Sequence, residues 1–138
     1  MRTRLFSCLC VVLLAVPVLA RGKPKHPAAP APDSAYVAAL AAANHFLRAW
    51  QTGDLESGLL LLTDTARQSS NEDALRDYFS AAQLRGFEVH RGKPLRVGRY
   101  AFPIVLLETA GSRSARRRYS EIIITETSNH ELAVDKLP

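Results

Sequence analysis

The chain has only two cysteines, Cys8 and Cys10, and both fall within the first 20 of its 138 residues. With that segment removed, a disulfide framework, a thiolate metal site and a cysteine nucleophile are all excluded. Histidine is also scarce. His26, His45, His90 and His130 include no pair four residues apart and no His-Glu-x-x-His. A zinc site needs three or four convergent ligands, so no metal is expected, and no motif calls for a cofactor. There is no Gly-x-Ser-x-Gly elbow and no glycine-rich phosphate loop. No internal repeat is present.

What is present begins with a short positive start at Arg2 and Arg4. An apolar run from Leu5 to Ala20 follows and ends at Arg21. Val18-Leu19-Ala20 places small residues three and one before a cut after Ala20. This is the layout of a secretory signal peptide, residues 1–20. The run of 16 is short of the roughly 20 residues a membrane span needs, so membrane contact is expected only during export. The cysteines lie near the start of the run, where a lipidated cysteine would not. The expected destination is periplasmic or extracellular. The whole chain carries 18 Lys+Arg against 13 Asp+Glu; without Arg2 and Arg4 this becomes 16 against 13, a net of only +3.

Residues 21–33 hold Pro24, Pro27, Pro30 and Pro32 and almost nothing large to bury. They read as an extended leader. Ser34 looks like a helix N-cap, with Asp33 adding charge at the positive end of the dipole. Val37, Leu40, Ala41, Asn44, Leu47 and Trp50 then recur at helical spacing to about Gln51, and Gly53 is a stop. Asp54 caps a second helix through Leu55, Leu59, Leu60 and Leu62, ending between Thr63 and Arg67. Ser70 or Asn71 starts a third, with Leu75, Tyr78, Phe79 and Ala82 as its apolar stripe and Gly86 as its end. Beyond it the pattern turns to strands: Phe87 to Arg91, Leu95 to Thr109, Arg116 to Thr127 and Leu132 to Leu137, separated by short turns. Pro103 cannot donate to a ladder and suggests a bulge or an edge. Helices followed by strands imply an α+β domain over residues 34–138: three N-terminal helices packed on a curved four-stranded antiparallel sheet.

Ala43 to Asp54, of the form Ala-x-x-Phe-Leu-x-Ala-Trp-x-x-Gly-Asp, together with the closing Leu132-Ala133-Val134-Asp135-Lys136-Leu137, resembles the nuclear transport factor 2-like superfamily of cystatin-like α+β rolls. The resemblance implies a cone with a pocket between the helices and the concave face of the sheet. It implies no single activity, because this fold carries isomerases, cyclases, dehydratases and binding modules. In the ketosteroid isomerase branch a carboxylate base faces a tyrosine and a protonated acid. Tyr36, Asp64, Tyr100, Glu108, Tyr119 and Glu121 are of the right types, but none sits in a motif that matches residue by residue.

The leading expectation is an exported, non-catalytic binding or interaction module. Its pocket wall would be Phe46, Trp50, Tyr78, Phe79, Tyr100 and Phe102, with Ile104 beside them. The ligand would be a small apolar molecule or a protein partner, and a homodimer is open. The alternative is a small isomerase, cyclase or dehydratase with Asp64 or Glu108 as base. The basic cluster Arg113, Arg116, Arg117 and Arg118 reads first as a solvated hairpin and second as a patch for an anionic partner. Nucleic acid is not expected: the net charge is small, and only Tyr119 is interleaved. Glu88, His90, Tyr119 and Glu121 alternate with apolar residues and should face water.

Overall fold

The computed structural model describes residues 33–80, 84–110 and 114–138. The signal peptide, the leader before Asp33, and Arg113 lie outside the described residues. Four helices come first: α1 (Ser34–Thr52), α2 (Leu55–Leu60), α3 (Asp64–Ser69) and α4 (Glu72–Phe79). Five strands follow: β1 (Arg85–Val89), β2 (Lys93–Arg96), β3 (Arg99–Ala110), β4 (Ser114–Glu126) and β5 (Leu132–Lys136). The sheet is antiparallel in the order β1-β3-β4-β5, and β2 pairs with the far part of β3. None of the described helices is long and apolar enough to cross a membrane.

Local signals set most of these boundaries. The N-cap of α1 is Asp33 rather than Ser34, its carboxylate accepting from the Ala35 N–H at 3.1 Å. Gly53 ends α1 in the left-handed region (φ 73°), donating to Ala49 and Trp50 carbonyls. Asp54 and Asn71 cap α2 and α4 through side-chain acceptors.

The expected second helix is two. Its break has a non-local cause. Leu61, Leu62 and Thr63 leave the helix to pair with the outer edge of β5: Thr63 N–H donates to Val134 O at 2.9 Å, and Val134 N–H donates to Leu61 O at 2.8 Å. This covers an edge that would otherwise offer unpaired backbone groups. The fifth strand, β2, takes Lys93 and Pro94 from an expected turn and Leu95 and Arg96 from the expected long strand, which is split by a turn at Val97 and Gly98. Pro103 falls in the stretch of β3 where β1 has ended at the Val89–Ile104 pair and β2 has not begun.

Alternation sorts the faces of the sheet. Tyr100, Phe102, Ile104 and Leu106 of β3, with Ile122 and Ile124 of β4 and Val134 of β5, face the helices and are buried. Ala39 and Ala43, both fully buried, let α1 lie close on them, with Phe46, Leu47 and Trp50 filling the space beyond. Ala101, Val105 and Ile123, on the other face, are buried as well. Tyr119 there is largely exposed, and Glu88 and His90 are exposed, as the alternation predicts.

Gly58 in α2 is held by packing. A Cβ there would fall inside the Phe79 ring. Alanine at an ordinary helix position gains about 1 kcal/mol over glycine, but overpacking a core costs about 1–3 kcal/mol. Gly58→Ala is therefore expected to destabilise the domain, by about 1 kcal/mol in urea denaturation. An increase in stability would show that α2 does not pack on Phe79 in this way.

Candidate functional site

Of the six predicted wall residues, four form one aromatic group. Tyr78 lies with Phe46 (ring centroids 6.5 Å apart, stacked), Trp50 (6.1 Å) and Phe79 (5.4 Å, edge-to-face). Tyr100 and Phe102 belong to a second group at the other end of the sheet, around Tyr36 (6.1 and 5.5 Å). The Tyr36 hydroxyl there accepts from the Gly92 N–H at 3.1 Å. All six residues are buried or nearly so and form part of the core or pack on it.

The first group holds polar atoms that the core does not satisfy. Trp50 Nε1, the Tyr78 hydroxyl and Arg85 Nε are buried with no hydrogen-bond partner among the described residues. Such groups are uncommon in folded proteins, and each costs about 1–3 kcal/mol when left unmet. Arg85 is otherwise well placed. Its guanidinium carbon stands 4.9 Å from the centroid of the Trp50 ring, and its Nη1 donates to Trp50 O at 3.1 Å. A cation there meets both the ring face and the negative end of α1.

Beyond Leu106, the helix-facing row of β3 turns from apolar to charged at Glu108. Its neighbours in register are Arg85 of β1 and Arg116 of β4, while Arg118 lies opposite Leu106. Glu108 is half-buried; Arg116, Arg117 and Arg118 are exposed, and the four line a recess of about 370 Å³. None of these four makes an ion pair within 4.0 Å among the described residues. The charges reach Tyr78. Burial pushes its phenol well above the ordinary range, while Arg118 and Arg85 draw it down and Glu108 adds to the rise. Tyr78 therefore stays protonated, as a hydrogen-bond donor.

The two predicted base candidates are not brought together. Glu108 stands at this charged end. Asp64 is the first residue of α3, its side chain 90% exposed and 4.0 Å from Arg67. It lines a separate recess with Thr63, Thr127, Glu131 and Asp135. All 13 acidic residues lie in described segments, and none is buried. Asp135, half-buried, is already held by Arg99 at 2.7 Å. Among the described residues no three His, Cys, Asp or Glu side chains are grouped to hold a metal ion.

Sequence reasoning passed over Arg85. The signal was there, because Arg85, Phe87 and Val89 continue one alternating face. The helical stripe was carried through to Gly86 instead, and so hid it.

Burial of an unmet hydroxyl makes a specific forecast. Tyr78→Phe removes the orphan and keeps the ring, so stability near neutral pH should hold or rise by about 1 kcal/mol. The unfolded chain ionises its tyrosines near pH 10, whereas folded Tyr78 resists ionisation. Wild-type stability should then fall as pH rises above about 10, and that part of the fall should vanish in Tyr78→Phe. Urea denaturation at pH 7.5 and pH 10.5 reads both effects. A large loss at neutral pH would mean that the hydroxyl has a partner.

No protein-family description matches this chain, and no curated protein matches it by sequence. Solved structures do match. A ketosteroid isomerase-like protein from Erwinia carotovora atroseptica aligns over 74% of this chain and 92% of its own, with a TM-score of 0.55 and 11% identity. Δ5-3-ketosteroid isomerase from a Mycobacterium species aligns over 70% and 89%, with a TM-score of 0.53 and 15% identity. At this identity the likeness speaks for the fold. The chain has the nuclear transport factor 2-like α+β fold, with helices laid on an antiparallel sheet.

Proposed function

We propose that the chain is an exported binding module that holds a small organic anion at the charged end of its sheet, without turning it over. The observation that carries this is the pair of orphaned donors, Trp50 Nε1 and the Tyr78 hydroxyl, buried in an aromatic floor beside Arg85, at the end of the sheet where Glu108, Arg116 and Arg118 lie. An acceptor group on a ligand meets the unmet donors, and the guanidiniums supply the charge-assisted bonds. Rings of Phe46, Trp50 and Tyr78 give an apolar body something to lie on.

Trp50 is the only tryptophan, so it reports on its own site. Titration with small aromatic and aliphatic carboxylates is expected to shift or quench its emission saturably. Tyr78→Phe should weaken the response by about tenfold, the cost of one hydrogen bond to a charged group. A flat signal across carboxylates, phosphate esters and neutral analogues would remove the proposal.

Export rests on residues 1–20. Expressed with its own N-terminus in a secreting host, the protein should be recovered outside the cytoplasm with Arg21 first, as intact mass and N-terminal sequencing would read. Retention at full length in the cytoplasm overturns it.

A small pocket enzyme is the second reading, favoured by one thing: Glu108 shares a face with the charges that reach Tyr78. The resemblance to isomerases in fold gives that reading no catalytic residue of its own.

A further inference from the structure

At the other end of the sheet a recess of about 560 Å³ opens between two turns and the start of α1. That size falls in the range of small-ligand pockets. Tyr100 lines it, and Tyr100 lies roughly 27 Å along β3 from Glu108. The recess is therefore separate from the anion site proposed above and stands without it. Part of its lining is apolar: Tyr100 is buried, Leu132 half-buried, and Pro94 and Val97 stand in the open. The rest carries charge of both signs. Arg96, Asp33 and Glu126 line the same recess, yet among the described residues Arg96 and Asp33 make no ion pair within 4.0 Å. Asp33 is engaged as the cap of α1, where the helix dipole offsets its charge. Glu126 is fixed by its neighbours. Its N–H donates to Gly98 O at 2.7 Å, and a Cβ on Gly98 would come 3.0 Å from its Oε2. Its Oε1 meets His130 Nδ1 at 2.6 Å. His130 is the one non-glycine residue with positive φ (61°) among the described residues. Glycine is usual at such a position, so what histidine adds there is its ring.

We propose that this recess takes a small zwitterion with an apolar body: a free apolar amino acid, or a short peptide of such residues. Arg96 holds the carboxylate, for which a guanidinium is the natural fork. Glu126, positioned by His130, takes the ammonium. The apolar body lies on Val97, Pro94, Leu132 and Tyr100. The two signs decide between ligand classes. A simple anion answers Arg96 and is repelled by Glu126; a simple cation answers Glu126 and is repelled by Arg96. A neutral apolar molecule covers both charges and pairs neither, which is costly. A ligand with both signs satisfies the two charges that the chain itself leaves apart.

The test uses the protein as the export experiment yields it, at low salt and fixed pH. Calorimetry reads affinity. The ring-proton NMR signals of His130 read place; they are identified by their loss in His130→Asn, since asparagine tolerates positive φ. The probes are L-leucine and L-leucyl-L-leucine, each with its N-acetyl derivative, which lacks the ammonium, and its C-terminal amide, which lacks the carboxylate. Each parent is expected to bind about tenfold more tightly than either derivative, the worth of one charged hydrogen bond. The tighter parent names the source, free amino acid or peptide. Arg96→Gln should weaken the parents and the N-acetyl compounds about tenfold and leave the amides unchanged. Glu126→Gln should weaken the parents and the amides and leave the N-acetyl compounds no weaker. Arg96→Lys, which keeps the charge, should retain most of the binding. Glycylglycine, with both charges and no apolar body, should bind at least about tenfold more weakly than leucyl-leucine. Derivatives that bind as tightly as their parents, or a variant that changes every ligand by one factor, overturn the proposal. So does binding that leaves the His130 signals unmoved, or no binding at millimolar concentration. Circular dichroism of each variant separates a folding defect from these outcomes. Failure here leaves the anion reading standing, because that reading is tested at Trp50.

Discussion

The length of the β3–β4 hairpin sets the terms for the rest of the molecule. Its ladder runs unbroken from the Arg99–Thr125 pair to the Ala110–Ser114 pair. At about 3.4 Å per residue, the 12 residues of β3 reach roughly 40 Å. Helix α1, with 19 residues at 1.5 Å each, covers only about 28 Å. The strand pair is longer than the helix that covers it. Where cover ends, the helix-facing row changes from Phe102, Ile104 and Leu106 to Glu108, and on β4 from Ile124 and Ile122 to Ser120, Arg118 and Arg116. The same alternation that builds the core therefore builds the charged end, with no added element.

That junction explains why polar atoms are left unmet there and not elsewhere in the aromatic floor. Trp50 is the last large residue of α1, and Tyr78 stands next to the end of α4. Both must fill the margin of the core, which needs rings. Both also carry a polar atom that the apolar strands cannot answer. Arg85 satisfies the end of α1 through Trp50 O and covers the Trp50 ring, yet leaves Nε without a partner. A core margin built for stability alone would place Phe at position 78. The hydroxyl is a cost without return unless something outside the described chain accepts from it.

Much of this was legible in the sequence, and what was not has a common cause. Caps at Asp54 and Asn71, the stop at Gly53 and the period-two strands are local signals, and they placed the elements in the right order. The break at Leu61–Thr63 is set by the edge of β5, more than 70 residues away, and nothing in the local leucine pattern announces it. The short strand β2 owes its pairing to Ala101 and Tyr100 rather than to its own Lys-Pro-Leu-Arg. For the site, the aromatics were visible as a group from helical spacing. Their division into two ends was not, because spacing along a helix does not say how far Tyr100 and Phe102 lie from Trp50. Arg116 and Arg118 were visible as a charge run. That Arg116 lies opposite Glu108, and Arg118 opposite Leu106, depends on the register with β3.

The choice between holding a ligand and transforming it comes down to where the acids are. Proton abstraction needs a carboxylate whose environment favours taking a proton, and desolvation is the usual means. Here every acidic residue has at least part of its side chain in water. Asp135, half-buried, is held by Arg99 at 2.7 Å and accepts from Thr63, which gives it a structural task. Among the acids, Glu108 stands on the helix-facing row at this end, with Arg85 and Arg116 beside it in register. Those arginines are the excess. On the binding proposal, those arginines serve an anion that arrives already charged, and such a ligand needs no base to make it one.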